Sequence, residues 1–102
     1  MPTITPSFVD SKTTAETVRV MFPFSDLVDS IDLVVSVTVS VVIGTDATPD
    51  AIKNGVATIS GTLVTQHIQG GVDGVTYLIN CIIAKGIERY AVACYLPVAD
   101  YK

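Results

Sequence analysis

The sequence predicts an all-β fold, and three observations support this prediction. First, 38 of the 102 residues are Val, Thr or Ile, whose branched side chains suit a pleated strand. Second, the segment Leu33–Ile43 alternates Val with Ser and Thr, which is the period of a strand with one buried face. Third, short apolar runs are separated by clusters of Gly, Pro, Asp and Asn, which mark turns.

Length and composition restrict the class of protein. A chain of 102 residues suits one domain, and 49% hydrophobic against 16% charged residues excludes a disordered chain. Six Lys and Arg against ten Asp and Glu give a formal net charge of −4, so no basic surface for nucleic acid is expected. Neither a secretory signal nor an apolar run of about 20 residues is present, so we expect no export and no membrane span.

The chain is predicted to begin with an extended arm, residues 1–15, ahead of a domain formed by residues 16–102. Pro2 and Pro6 lie in this arm, which shows no apolar period. We therefore expect the arm to become ordered only against a neighbouring molecule.

The first two strands of the domain follow from alternation. Val18, Val20 and Phe22 alternate with polar or flexible residues, and Pro23 ends this strand. Residues 25–32 are rich in Asp and predict a loop that packs apolar side chains inward. The second strand, Leu33–Ile43, is expected to bury one face formed by Val35, Val37, Val39, Val41 and Ile43, with Val34 and Val42 on the solvated side.

Turn residues separate the remaining strands. Residues 44–54 form a connection with one short turn near Pro49, followed by short strands at residues 56–60 and 62–68. Val64 and Ile68 are predicted to face the core. A hairpin over residues 77–84 and 88–96 ends the domain, with its inner face formed by Tyr77, Ile79, Cys81 and Ile83.

The corner before this hairpin predicts the type of sandwich. Gly70, Gly71 and Gly74 permit a tight turn with positive φ, and Tyr77 follows directly. A tyrosine after such a corner, whose hydroxyl bonds to upstream backbone, is typical of immunoglobulin-like sandwiches. We therefore predict an immunoglobulin-like β-sandwich of about seven strands, in which Tyr77 and the three glycines have structural roles.

The order of features from Val18 to Val98 resembles a family of small immunoglobulin-like proteins of tailed bacteriophages, the fiber-tail adaptor proteins. The resemblance rests on Phe22-Pro23-Phe24-Ser25, on Asp32-Leu33 leading into the alternating strand, on the glycine corner before Thr76-Tyr77, and on the closing hairpin. It implies a structural virion protein, most simply a fiber-tail or tail-neck adaptor that links oligomeric tail components. It implies no active site and no cofactor.

A candidate contact surface lies on the outer face of the hairpin. Leu78 and Ile82 occupy positions where a solvated sheet would carry charges. The tyrosines near the C-terminus are the other predicted contact residues, because tyrosine is enriched in interfaces: Tyr90, Tyr95 and Tyr101. The expected partners are tail, fiber or neck subunits and further copies of this chain in a ring, within a virion assembled in the host cytoplasm.

Residues with catalytic or metal-binding chemistry have simpler explanations. His67 is the only histidine, and no nucleophile motif accompanies it, so we interpret it as an outward strand residue. Asp residues near positions 26–32 and 46–50 could provide oxygen ligands for Ca²⁺, but turns commonly contain Asp for backbone capping. Cys81 and Cys94 are predicted to be buried free thiols. We therefore expect no enzyme, no catalytic residue and no metal site.

Two other functions are compatible with the same fold. A capsid decoration or cement protein would use the sandwich and arm on the head lattice. A carbohydrate-binding module would use an aromatic platform, which is disfavoured because the chain has no Trp.

Overall fold

The computed structural model describes residues 7–8 and 12–100, which form two packed β-sheets. The strands are β1 (Ser7–Phe8), β2 (Thr17–Pro23), β3 (Leu33–Ile43), β4 (Lys53–Ser60), β5 (Leu63–Gln69), β6 (Thr76–Lys85) and β7 (Glu88–Pro97). A 3₁₀ turn, Pro49–Ile52, connects β3 to β4. Within the described ranges, no helix has the length and apolar character needed to cross a membrane. The predicted all-β sandwich is confirmed.

Each of the two sheets combines strands that are distant along the chain. One sheet has the order β1-β7-β6-β3, and the other has the order β2-β5-β4. The pairs are antiparallel except β1 with β7, which is parallel. In immunoglobulin sandwiches the second, fourth and fifth strands of the chain likewise lie apart from the third, sixth and seventh. This strand order supports the immunoglobulin-like prediction.

The core lies between the two sheets and comes from the alternating residues of each strand. Tyr77, Ile79, Cys81 and Ile83 of β6 are all fully buried, as the hairpin pattern predicts. They face Val64 and Ile68 of β5, which are also fully buried as predicted, together with Val20 and Phe22 of β2. Burying a side chain of this size contributes roughly 1.5–3 kcal/mol.

Both ends of β3 depart from the predicted alternation. The register with β6 shifts between Val34 and Ser36 and again between Val41 and Ile43, so Val35 and Val42 are bulge residues. Val34 therefore packs against the core, whereas Val35 and Ile43 are exposed. The prediction that Val35 and Ile43 are core residues and Val34 is solvated was wrong, because a one-residue bulge exchanges the two faces.

Part of the predicted arm packs on the domain. Residues 1–6 and 9–11 lie outside the described residues, while Ser7–Phe8 pairs with β7 and Lys12 bridges to Val98. Lys12 is buried, and its Nζ donates hydrogen bonds to the carbonyl oxygens of Thr13 and Gly70 at 2.5 and 2.6 Å. Lys12 is thus anchored on the domain although it lies within residues 1–15. Ordering of the arm against a neighbour stays a prediction.

Candidate functional site

The outer face of the four-stranded sheet follows directly from the alternation of β6. Because the odd-numbered residues of β6 from Tyr77 to Ile83 are fully buried, the residues between them point away from the second sheet. These outward residues are Leu78, Asn80, Ile82 and Ala84, and each is only half-buried.

The register extends this face across three strands in three rows. The rows are Ser40-Leu78-Tyr95, Thr38-Asn80-Ala93 and Ser36-Ile82-Ala91. None of these nine residues is charged, and the next row adds Arg89 beside Ala84. An antiparallel sheet with one solvated face ordinarily carries polar and charged residues there. This uncharged outer face, defined by the nine residues, is the candidate contact surface, although Ala91 is already buried within the chain.

The structure separates the predicted contact residues into two groups. Leu78 and Tyr95 are directly opposite each other on the uncharged outer face, and Ile82 lies on the same face of β6. Tyr90 pairs with the fully buried Ile83 and packs partly against the core, so it lies on the inner side of β7. Tyr101 lies outside the described residues. The sequence analysis groups Tyr90 with the other tyrosines because they are close together along the chain. Proximity along the chain does not determine which face of a strand a residue occupies.

Tyr90 is partly engaged within the chain. Its hydroxyl donates a hydrogen bond to Glu88 Oε2 at 3.1 Å, and this bond raises the pKa of the Tyr90 phenol. Together with Leu27, Val28 and Lys85, Tyr90 lines an open hollow of about 470 Å³.

A hydrogen-bonded cluster at the glycine corner fixes the end of the sandwich. The Tyr77 hydroxyl accepts a hydrogen bond from the Val72 N–H at 2.9 Å and donates one to Asp46 Oδ2 at 2.7 Å. Burial raises the pKa of Tyr77 to about 12, and the bond to Asp46 acts in the same direction. The bonds from Tyr77 and from the Thr48 N–H lower the pKa of Asp46 below its ordinary value of 3.8. Tyr77 is therefore a permanent donor and Asp46 an ionised acceptor near neutral pH.

The three corner glycines, Gly70, Gly71 and Gly74, all have positive φ. Gly71 also makes a close approach, because a Cβ there would lie 3.1 Å from Val98 Cγ2 and 3.5 Å from Tyr77 Cε2. Gly74 has φ +85 and open space at the same position. The corner thus needs glycine at residue 71 for two independent reasons.

Among the groups that could perform chemistry, Asp46 is hydrogen-bonded within the fold and the two cysteines are buried. An open cleft of about 530 Å³ beside Asp46 is lined mainly by small, apolar and amide groups, and Asp46 itself already accepts two hydrogen bonds. His67 is exposed on β5, and no group of three or more His, Cys, Asp or Glu in the described part of the chain could hold a metal ion. Cys81 and Cys94 are buried free cysteines, and burial raises their pKa values to about 12 and 11.

Two structural features are not evident from the sequence. Gln66 is buried, and its Nε2 donates to the carbonyl oxygens of Gly55 and His67 at 3.1 and 3.0 Å, where β4 has a register shift. Asp50 and Lys53 both bond to the backbone of β3. The polar Gln66 between two core residues is a weak signal for the first feature, whereas the second requires tertiary contacts.

The fold is a small β-sandwich, and its uncharged outer face is typical of a protein that acts through contacts with other proteins. Residues 12–92 match the family model described as Podophage GP4 fiber-tail adaptor protein gp77, and the chain belongs to this family. The comparisons with curated proteins and with solved structures give no significant match. The protein is accordingly a phage tail adaptor, a component of the virion that binds other tail components, and its family is a structural family rather than an enzyme family.

Proposed function

We propose that this adaptor links oligomeric tail components as a homo-oligomeric ring, and that the uncharged outer face is one of its contact surfaces. The observation that carries this proposal is the set of three rows without a charged side chain on an outer sheet face. Interfaces are depleted of charge at their centres and enriched in tyrosine, and Tyr95 lies at the end of the first row.

The family match supports the tail over the other expected locations. It favours a fiber-tail or tail-neck adaptor over a capsid decoration protein and over a carbohydrate-binding module. The two buried free cysteines support assembly in the reducing host cytoplasm.

The experiment is to introduce a charge at the centre of the outer face. Ile82→Asp should leave the free energy of unfolding within about 1 kcal/mol of wild type, because Ile82 lies outside the core cluster. Incorporation of the variant into particles, measured on purified virions, should be lost. Met21→Asp is the matched control, because Met21 is an exposed apolar residue between the buried Val20 and Phe22 on the other sheet.

The outcomes separate the alternatives. Normal incorporation of folded Ile82→Asp would show that this face is not a contact surface. Unfolding of the isolated variant would show that Ile82 contributes to the core instead. Cryo-electron microscopy of the virion tests the ring, and a single copy away from the tail axis would contradict it.

A further inference from the structure

Strand β3 is an edge strand with a sequence that favours pairing. It bonds to β6 on one side, and in the described ranges no strand is hydrogen-bonded to its other side. Its eleven residues include no charged residue, no Pro and no Gly. Long, apolar edge strands of this kind are templates for pairing with another chain, and proteins usually protect them with charges, Pro or bulges.

The centre of this edge is covered by two charged side chains. Asp50 Oδ1 accepts a hydrogen bond from the Val39 N–H at 2.8 Å, and Lys53 Nζ donates one to the Val37 carbonyl oxygen at 2.7 Å. Val37 and Val39 are two residues apart, so their N–H and C=O groups are those that one further antiparallel strand would use. Asp50 and Lys53 thus take the place of a neighbouring strand's backbone groups, and they do so only at the middle of β3.

The 3₁₀ turn holds both side chains at this edge. Pro49 begins the turn, Asp50 lies in its single turn, and Lys53 begins β4 directly afterwards. The two charged groups are 3.7 Å apart and form an ion pair at the edge. The bulges at Val35 and Val42 lie on either side of the covered centre.

We propose that Asp50 and Lys53 form an edge cap that prevents β3 from pairing with β3 of a second copy of this chain. A second copy is the fitting occupant because it offers an uncharged strand of equal length, and an antiparallel pair of identical strands closes by twofold symmetry. This inference concerns the free edge of β3 and does not depend on the proposed role of the outer face.

The test removes the cap without changing the net charge. The double variant Asp50→Ala with Lys53→Ala should self-associate, with a mass in light scattering that rises with concentration toward twice that of wild type. The double variant Asp29→Ala with Lys85→Ala is the matched control, because it removes an ion pair of 3.6 Å away from the edge. The control should keep the wild-type mass.

Two further variants locate the association. Adding Val42→Lys to the uncapped variant places a charge beside the edge and should restore the wild-type mass. Asp50→Asn alone should also keep the wild-type mass, because the amide oxygen still accepts the Val39 hydrogen bond.

Hydrogen exchange supplies a test that does not require the double variant to fold. In dilute Asp50→Ala, the Val39 amide should exchange about tenfold faster than in wild type, while the Ile79 amide in the central strand β6 is unchanged. The proposal is overturned by an unchanged Val39 rate, by a folded uncapped variant of wild-type mass, by equal association of the control, or by association that Val42→Lys does not reverse.

Discussion

The hydroxyl of Tyr77 carries the one oxygen atom among the four buried inner side chains of β6, and its two hydrogen bonds reach two different loops. It joins the Val72 N–H of the glycine corner to the Asp46 carboxylate of the β3–β4 connection. A buried hydroxyl with both bonds made stabilises the fold, whereas its removal leaves two polar groups without this partner. This residue therefore connects two segments that no strand pairing holds together.

We expect Tyr77→Phe to lower the free energy of unfolding by about 1–3 kcal/mol, measured by urea denaturation at neutral pH. The pH dependence gives a second readout. Because the folded pKa of Asp46 is lowered below 3.8, its stabilising contribution is present above that value and is lost as pH falls through the folded pKa. Tyr77→Phe should therefore show a smaller loss of stability below about pH 4. An identical acid profile would contradict the role of this bond.

The two cysteines should be inert in the folded protein. Burial raises the pKa of Cys81 to about 12 and that of Cys94 to about 11, so almost no thiolate is present at pH 8. We expect iodoacetamide to modify neither thiol rapidly at pH 8, and to modify both after denaturation without reductant, as measured by mass spectrometry. Fast labelling of the native protein would show an accessible thiol, and fewer than two labels after denaturation would show oxidation.

At the scale of the element, the glycine corner sets the geometry between β5 and β6. Its chain is tied to the C-terminal segment by the Gly74 N–H, which donates to the Val98 carbonyl oxygen at 2.8 Å. Lys12 Nζ donates a hydrogen bond to the Gly70 carbonyl oxygen. The corner thus joins the beginning and the end of the described chain.

Comparison of two glycine variants separates backbone strain from packing. Gly74→Ala should cost about 1–2 kcal/mol, since an alanine at positive φ is strained but meets no neighbour there. Gly71→Ala should cost about 1 kcal/mol more, because its Cβ would press on Val98. Chemical denaturation of both variants measures the difference. Equal costs would mean that Val98 moves freely and that the close approach is unimportant.

At the scale of the whole molecule, the two sheets share one core and should unfold together. Ile68 on β5 is fully buried in the same cluster as Ile79 on β6. We expect Ile68→Val to cost about 0.5–1.5 kcal/mol and to reduce the opening free energy of amides in both sheets by the same amount, as measured by hydrogen exchange. Ile59→Val, at an exposed position of β4, is the control and should have almost no effect. A loss confined to β2, β4 and β5 would show that the sheets unfold independently.

Sequence patterning predicted the strands because the alternation of apolar and polar residues that marks a strand is a local property of the sequence. The alternation in β6 and at the centre of β3 determined which residues are buried, since the strand period of two leaves one choice of inner face. The same alternation predicted the outer positions of Leu78 and Ile82. The resemblance to fiber-tail adaptors, carried by motifs spread along the chain, agrees with the family match over residues 12–92.

Only the tertiary structure determined the features that depend on contacts between segments distant along the chain. The bulges at Val35 and Val42, the inner position of Tyr90 and the burial of Lys12 all result from how strands fit against their partners. The cap of Asp50 and Lys53 on β3 is the clearest case, because two ordinary turn residues gain their role only from the free edge beside them. The sequence by itself determined the strands and their faces through local periodicity, whereas hydrogen-bond registers and edge contacts arise only when the two sheets pack.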